Sequence, residues 1–333
     1  SLNQVISKAD LDAGNLRYTP TANANGTPYA TLGFEVSDGA LYSTSSYTLT
    51  LSVAAVNDAP VQTGTAPASI AVLEDSANST AVSLGLTSLS YGSGGGSDES
   101  GQTFTYTLTG IPSFINVFQS DGTTAVPAGS VLTLTQLQGL KYKTIANANG
   151  TDSLTWTVED SGGTANGGVN RLDQSLAVTV TAVNDVPIVT SGNKSVMQGN
   201  TLFLRASDFS FSDADSSGSN DLGIGKSLQL IQITALPANG TLWLDSNGSG
   251  TLEAGETVTV NQQIDVNQLN RLRFTPSSSF TGSTNFNWNG SDGISFANSG
   301  ASIAIDVTPL DQAPTFSSSS GRTLVVRPSA NGA

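Results

Sequence analysis

Apolar and polar residues alternate along many short stretches of this 333-residue chain. In the segment 153–158, Ser-Leu-Thr-Trp-Thr-Val, every second side chain is apolar, and the same period of two recurs in 104–108, 176–180 and 228–233. This period is typical of strands with one buried face, whereas an amphipathic helix repeats its apolar residues every three to four positions. Asn-Gly and Asp-Gly pairs lie between these stretches, where hairpin turns require positive φ. The pattern predicts an all-β fold built of two-sheet sandwiches.

The chain repeats itself with a period set by three prolines. Pro60, Pro187 and Pro314 are 127 residues apart, and they end the similar segments Val-Asn-Asp-Ala-Pro, Val-Asn-Asp-Val-Pro and Leu-Asp-Gln-Ala-Pro. A second shared segment, a leucine, a basic residue and an aromatic residue, precedes them at 16–18, 140–142 and 272–274. A fixed period of this kind indicates a tandem array of structural repeats.

The positions of the three prolines within the 127-residue period divide the chain into four predicted segments. Residues 1–58 would supply the C-terminal half of a repeat, 59–185 and 186–312 two complete repeats, and 313–333 the start of the next one. We expect the complete repeats to be arranged end to end, with the parent array continuing in both directions. The same reasoning makes 1–58 the least stable part, because it lacks the strands that would cover its apolar face.

Composition narrows the chemistry that the chain can perform. There is no cysteine and no histidine, so neither a Ser-His-Asp or Cys-His site nor an ordinary zinc site is available, and we expect no enzyme. Oxygen ligands remain, and they suit calcium or magnesium. The net charge of −14, from 12 basic and 26 acidic residues, disfavours binding to nucleic acid or to an anionic membrane surface. No apolar run is long enough to predict membrane insertion.

The sharpest motif is the twelve-residue segment 245–256, Asp-Ser-Asn-Gly-Ser-Gly-Thr-Leu-Glu-Ala-Gly-Glu. Oxygen-bearing side chains occupy positions one, three, five and nine, glycine occupies position six, and a carboxylate closes the segment at position twelve, as in an EF-hand calcium loop. Its flanks are strand-like rather than helical, so we expect a bare calcium loop within a β-hairpin; the alternative is an acidic, glycine-rich hairpin loop. The predicted ligands are Asp245, Asn247, Ser249, Thr251 through its carbonyl, Glu253 and Glu256.

The succession of these segments resembles the cadherin-like repeats of large bacterial surface adhesins and biofilm-associated proteins. In chain order, these segments are Leu-x-Tyr-Thr-Pro, Asn-x-Asn-Gly, a strand with an aromatic residue, Asp-Gly, a further strand and Val-Asn-Asp-Ala-Pro. The resemblance implies tandem immunoglobulin-like or cadherin-like β-sandwich repeats, export to the cell surface, calcium at the junctions between repeats, and a stalk or adhesive role. The third junction departs from the pattern, because Asp311-Gln312 replaces Asn-Asp.

In such folds the junction shares calcium with acidic loops of both neighbouring repeats. The alternative is that Asn-Asp-x-Pro ends one strand and begins a turn. Asp38, Asp160 and Asp292 are interpreted as turn residues, and Trp243 is expected to be relatively exposed. The predicted junction ligands are Asn57, Asp58, Glu74, Asp75, Asp98, Glu99, Asn184, Asp185, Asp213 and Asp215.

These expectations define three functional hypotheses. The first is a calcium-stiffened, secreted or cell-surface stalk for adhesion, biofilm formation or surface attachment, with neighbouring repeats of the same chain as its principal partners. The second is a β-sandwich module that itself binds a glycan or a surface protein. The third is an accessory domain of an exported hydrolase. Repetition favours the stalk, because a stalk needs many copies and a catalytic site does not.

Overall fold

The computed structural model describes residues 3–76, 79–214 and 227–310. Strands dominate it and confirm the predicted all-β class. Two short α-helices are present in this described part, α1 (Lys8–Asp12) and α2 (Leu134–Gln138). Thr133 caps α2 in a reciprocal arrangement with Gln136: the Thr133 hydroxyl accepts the Gln136 N–H, and the Gln136 side chain accepts the Thr133 N–H. No helix in the described ranges is long and apolar enough to cross a membrane.

The described chain divides into two compact units, with the division between Val183 and Asn184. In the first unit, α1 is followed by the antiparallel hairpin of β1 (Gly26–Phe34) and β2 (Tyr47–Val53). Ten more strands complete the unit: β3 (Val61–Gln62), β4 (Ile70–Leu73), β5 (Val82–Ser83), β6 (Tyr91–Gly92), β7 (Phe104–Gly110), β8 (Ile115–Phe118), β9 (Val131–Leu132), β10 (Lys141–Thr144), β11 (Gly150–Asp160) and β12 (Arg171–Thr181).

The second unit repeats the same succession. Its strands are β13 (Ile188–Thr190), β14 (Gly192–Met197), β15 (Leu202–Phe203), β16 (Ser210–Ser212), β17 (Leu230–Ala235), β18 (Gly240–Leu244), β19 (Gln263–Asp265), β20 (Leu272–Pro276), β21 (Gly282–Ser291) and β22 (Ala301–Thr308). A 3-10 helix over Val266–Arg271 takes the place that α2 has in the first unit.

Strands β3–β12 of the first unit and β13–β22 of the second have the same sheet topology. In the first unit the five-stranded sheet has the order β4-β12-β11-β7-β9, the three-stranded sheet β5-β10-β8, and β3 pairs with β6. In the second unit the corresponding orders are β14-β22-β21-β17-β19, β15-β20-β18 and β13-β16. In each unit the last strand carries a parallel strand from the beginning of the repeat on its outer edge, β4 on β12 and β14 on β22. The other ladders are antiparallel.

Each unit has its own apolar core, formed by the inward-facing residues of the alternating strands. In the first core Trp156 is 1% exposed and its indole N–H donates to the Tyr91 hydroxyl at 3.0 Å. In the second, Trp288 is fully buried and meets Phe209 edge to face, with ring centroids 4.9 Å apart. Because each unit has its own core, the chain divides into two compact units close to the boundary between the repeats.

Candidate calcium centres

The loop 245–256 joins β18 to the segment that follows Glu256. The Leu244 N–H donates to the Glu256 carbonyl at 2.8 Å, and the Val258 N–H donates to the Leu242 carbonyl at 3.0 Å. The two ends of the loop therefore lie side by side, as a hairpin requires. Trp243, just before the loop, is 1% exposed and donates its indole N–H to Thr275, so the expectation of an exposed tryptophan was wrong.

Glu256, at the twelfth loop position, is buried and accepts hydrogen bonds with both carboxylate oxygens. Oε1 accepts from the backbone N–H and the hydroxyl of Ser246, each at 3.0 Å, and Oε2 accepts from the Glu253 N–H at 3.1 Å. A buried carboxylate requires such donors, because it has lost the water that would otherwise solvate its charge. The closing residue thus holds both ends of the loop in place.

Asp245, at the first position, contacts a guanidinium group. Arg273 Nη2 lies 3.5 Å from Asp245 Oδ2, and the two side chains are 10% and 5% exposed. The twelve-residue motif predicted Asp245 as a ligand, but nothing in the sequence indicated that Arg273, on β20, would contact it.

Gly250 has a φ of +77°, and a Cβ atom there would meet nothing within 4 Å. Glycine is therefore favoured here by the left-handed backbone and not by lack of space.

The remaining predicted ligands of the loop are joined to one another by hydrogen bonds. Asn247 Nδ2 donates to Glu253 Oε2 at 2.9 Å, and the Ser249 hydroxyl lies 3.2 Å from the Thr251 carbonyl oxygen. Within the described ranges, no group of three or more Asp, Glu, His or Cys side chains is placed so that it could hold a metal ion. In this conformation the loop therefore gathers the predicted oxygens without bringing its three carboxylates together.

A second polar cluster lies where the first complete repeat begins. Asn57 Nδ2 donates to Asp160 Oδ1 at 2.9 Å and to the Val169 carbonyl at 2.7 Å, and Gln102 Nε2 donates to Asn57 Oδ1 at 2.6 Å. Asp160 ends β11, where the turn chemistry of Asp-Ser-Gly was the only role that the sequence suggested. The structure confirms the turn, because Asp160 Oδ1 accepts the Gly162 N–H at 2.9 Å, and it also makes Asp160 a junction residue that is 6% exposed.

Two oxygen atoms of this cluster are buried without a hydrogen-bond partner in the described structure. They are Asp160 Oδ2 and Gln102 Oε1. Leaving a buried carboxylate oxygen unsatisfied is costly. Both atoms are oxygens of the kind that calcium takes as ligands.

Glu99 and Asp98 bring acidic oxygens to the same junction. Glu99 is 4% exposed; its Oε1 accepts the Asp58 N–H at 2.7 Å and its Oε2 accepts the Gly95 N–H at 2.9 Å. Asp98 is exposed. A Cβ atom on Gly96 would lie 2.6 Å from the Asn23 carbonyl oxygen and 2.8 Å from Asp98 Oδ1. An oxygen from the first hairpin segment and one from the acidic loop therefore both face this glycine.

Glu74 and Asp75 lie apart from this cluster, at the other end of the same repeat. Glu74 is 3% exposed, and its carboxylate accepts the Val183 N–H at 2.6 Å and Asn149 Nδ2 at 3.3 Å. Asp75 Oδ1 accepts the Asn147 N–H at 3.3 Å. These two residues therefore accompany the end of β12, not the Asn57-Asp58 junction.

The second unit carries a different side chain at the position of Glu74. Leu73 pairs with Thr181 in the first unit and Met197 pairs with Thr308 in the second, so the next residue is glutamate in one and Gln198 in the other. Gln198 Nε2 donates to the Ser278 carbonyl at 3.2 Å. The second unit thus lacks this carboxylate. The divergent Asp311-Gln312 junction lies outside the described residues.

The second unit reproduces the cluster at its own beginning. Asn184 Nδ2 donates to Asp292 Oδ2 at 3.1 Å and to the Ser295 hydroxyl at 3.2 Å, and Asn184 Oδ1 is buried without a partner in the described structure. Asp292 is 1% exposed. Burial raises its pKa, but hydrogen bonds from the Ser295 and Ile294 N–H groups, and from the Asn184 and Ser295 side chains, hold that pKa below its usual value.

The other predicted ligands of this second cluster are Asp185, Asp213 and Asp215. Asp213 is 8% exposed and Asp185 is half-buried. Asp215 lies outside the described residues. Sequence analysis missed Asp160 and Asp292 as junction residues, although one signal was available: both follow the aromatic strand at the same distance, four residues after Trp156 and Trp288.

No family model matches this sequence, and no curated protein matches it either. Solved structures resemble it at low similarity. The first two domains of human mucin-like protocadherin are 13% identical with a TM-score of 0.32, covering 75% of this chain and 98% of that one. The first three domains of mouse protocadherin-24 are 12% identical with a TM-score of 0.33, covering 85% and 80%.

An endo-fucoidan hydrolase of glycoside hydrolase family 107 is 17% identical with a TM-score of 0.24. The match covers 85% of this chain, which spans 34% of the hydrolase chain. At such TM-scores and identities these resemblances support no functional assignment. The functional argument therefore rests on the side chains of the two units.

Proposed function

We propose that this chain is a calcium-binding array of β-sandwich repeats from a secreted or cell-surface protein, serving adhesion or attachment as a stalk. The observation that carries the proposal is Asp160 Oδ2, a carboxylate oxygen buried beside Asn57 with no hydrogen-bond partner in the described structure. A chain without histidine or cysteine can offer a cation only oxygens, and calcium accepts six to eight of them.

In the first unit the calcium ligands would be Asn57, Asp58, Asp98, Glu99 and Asp160. The carbonyl of Asn23 would add an oxygen from the hairpin segment that precedes the repeat. An ion held by both segments would limit their relative motion, which is the property that a stalk needs. Bound calcium would neutralise the carboxylates and cross-link the two segments, and the named residues would hold the oxygen ligands in position.

The second unit supports the same role with Asn184, Asp185, Asp213 and Asp292. The loop 245–256 is proposed as an additional site, on the chemistry of its oxygens and its EF-type spacing. Its Arg273–Asp245 contact already neutralises part of the loop charge. We therefore expect the junction clusters to bind calcium more tightly than this loop.

The proposal is tested by titrating calcium into the full chain and into Asp160→Asn. Isothermal calorimetry gives the number of sites, and small-angle scattering gives the maximum dimension with calcium and with chelator. We expect the variant to lose one site and part of the calcium-dependent extension. Asp152→Asn, an exposed change on the same strand β11, is the matched control. Identical isotherms for wild type and Asp160→Asn would overturn the assignment.

One observation favours the alternative of a ligand-binding module. A groove of about 330 Å³ runs beside the loop, lined by Thr241, Trp243, Thr251 and Leu252, among others. A tryptophan that is 1% exposed, however, offers no face for stacking against a sugar. Trp156 and Trp288 are buried to the same degree. We therefore retain the stalk as the proposed function, and the role of an accessory domain of an exported hydrolase has no comparable observation in its favour.

A further inference from the structure

A buried arginine, Arg273, is held against the loop 245–256 by groups that lie outside the loop. Its Nη1 donates to the carbonyl of Asn270 at 2.5 Å and to the carbonyl of Leu272 at 3.2 Å. The ring of Phe203 covers the guanidinium, with Arg273 Cζ 4.3 Å from the ring centroid, which adds a cation–π attraction. These three contacts fix the position of a positive charge that is 9% exposed.

The carboxylate of Asp245 makes longer contacts than the other buried carboxylate of the loop. Arg273 Nη2 lies 3.5 Å from Asp245 Oδ2, and the Gly250 N–H donates to Oδ1 at 3.4 Å. Glu256, in contrast, accepts hydrogen bonds of 3.0–3.1 Å. Both contacts of Asp245 exceed the usual length of an N–H···O bond, about 2.7–3.2 Å. Arg273 therefore stabilises Asp245 more by its charge than by directed hydrogen bonding.

The loop depends on a charge from elsewhere in the chain, because 245–256 contains three carboxylates and no basic residue. A buried carboxylate is costly unless it is paired with a cation or with hydrogen-bond donors. Arg271 Nη1 donates to the Ser246 carbonyl at 2.6 Å, whereas Arg273 contacts a carboxylate. Arg273 thus gives the metal-free loop, at its first position, the positive charge that a calcium ion would supply.

We propose that Arg273 and calcium compete for the carboxylate of Asp245. Arg273 keeps the loop folded without metal, and it sets the calcium concentration at which the loop binds the ion. This inference rests on the proposed function, because it takes the loop 245–256 as a calcium site. Two positive charges on one carboxylate repel each other. Calcium must therefore displace the guanidinium from Asp245 or bind against its charge, and both lower the affinity.

Substitutions at Arg273 separate its charge from its hydrogen bonds. Arg273→Gln is neutral but keeps an amide that can donate to a backbone carbonyl, and the matched control Arg273→Lys keeps the charge. In NMR spectra of the full chain, the amide signals of Gly248, Gly250 and Gly255 report calcium binding to this loop separately from the junction clusters. We expect Arg273→Gln to bind calcium in the loop about tenfold more tightly than the wild type, and Arg273→Lys to stay close to the wild type.

The metal-free state gives a second readout of the same variants. The N–H groups of Leu244 and Val258 donate across the two ends of the loop, so their hydrogen exchange reports whether the loop is closed. In chelator, both amides should exchange faster in Arg273→Gln than in Arg273→Lys, and calcium should remove most of this difference. Equal exchange of the two variants in chelator would overturn the role of Arg273 as the cation of the metal-free loop.

The wild-type chain provides a measurement that needs no substitution. Arg273 Nε is buried, so the NMR signal of its N–H is protected from solvent and should shift with the same calcium midpoint as Gly250. An unchanged Arg273 signal while the glycines titrate, or wild-type affinity in Arg273→Gln, would overturn the competition and leave the loop as a calcium site. If the loop glycines respond to calcium in neither protein, the loop is no site, and the inference fails together with that part of the proposed function.

Discussion

Asn57 and Asp160 are 103 residues apart in sequence and joined by a 2.9 Å hydrogen bond from Nδ2 to Oδ1. The bond connects the end of the junction segment to the end of β11. Asn184 and Asp292 make the same contact in the second unit, at 3.1 Å. An asparagine in the repeated Val-Asn-Asp segment therefore has a structural role besides any ligand role: it fixes the junction to the repeat that follows.

Replacing Asn57 with alanine should destabilise the first unit even without calcium. Asp160 Oδ1 would keep only the Gly162 N–H as donor, and weakening the hydrogen bonding of a buried carboxylate costs about 1–3 kcal/mol in free energy of unfolding. Amide hydrogen exchange of β11 and β12 in chelator measures this loss. The control is Asn116→Ala, an exposed change on β8. Protection factors equal to the control would show that the contact contributes nothing.

Gly96→Ala should weaken calcium binding without removing a ligand. The new methyl group would approach the Asn23 carbonyl oxygen to 2.6 Å and Asp98 Oδ1 to 2.8 Å, so both oxygens must move. Changes that disturb ligand orientation typically cost about 10–100-fold in metal affinity. Gly101→Ala is the control, because a Cβ atom there meets nothing within 4 Å. Calorimetric titration of both variants checks the prediction, and equal dissociation constants would contradict it.

Asp121 gives a pH-dependent prediction away from any proposed metal site. The Thr124 hydroxyl and the Thr123 and Thr124 N–H groups lower the pKa of Asp121 to about 2. A carboxyl whose pKa is depressed on folding contributes stability above its unfolded pKa of about 3.9 and loses it as pH falls towards 2. Urea denaturation should therefore show Asp121→Asn less stable than wild type at pH 7, with the difference shrinking between pH 4 and pH 2. A difference that does not change with pH would contradict this account.

The strand pattern and the period were sufficient to predict the all-β class. The alternation of apolar and polar residues predicts strands with one buried face. Trp156 and Trp288 lie on the apolar side of such strands, and both are buried. Trp243 was not predictable in this way. It is buried, and its indole N–H donates to Thr275, 32 residues along the chain, a contact that no local sequence pattern indicates.

The junction clusters were predictable only in part. Asn57, Asp58 and Glu99 come together as the repeated segment suggested, because the chain returns to the same end of the sandwich. Glu74 does not join them, since the parallel pairing of β4 with β12 carries it to the opposite end. Asp160 is a turn residue as predicted, but its contact with Asn57, 103 residues away, was missed, although the aspartate recurs four residues after Trp156 and Trp288.

The loop 245–256 offers a substitution that separates metal binding from folding. Asp245 and Glu256 are buried and hydrogen-bonded, so removing either would destabilise the loop with or without metal. Glu253 is exposed, and its carboxylate accepts from Asn247 Nδ2. Glu253→Gln should therefore leave the metal-free unit nearly unchanged and weaken calcium binding, since position nine contributes an oxygen directly or through water.

Mass action sets the size of the expected effect. At ten times the dissociation constant, calcium stabilises a one-site unit by about 1.4 kcal/mol, and a tenfold weaker variant retains about 0.4 kcal/mol at that concentration. Calorimetric melting of the second unit within the full chain, with millimolar calcium and with chelator, measures the difference. Asp306→Asn, an exposed change on β22, should keep the full gain. If Glu253→Gln and Asp306→Asn gain equally from calcium, the ion binds at the junction clusters alone and the loop is a hairpin closed by Glu256.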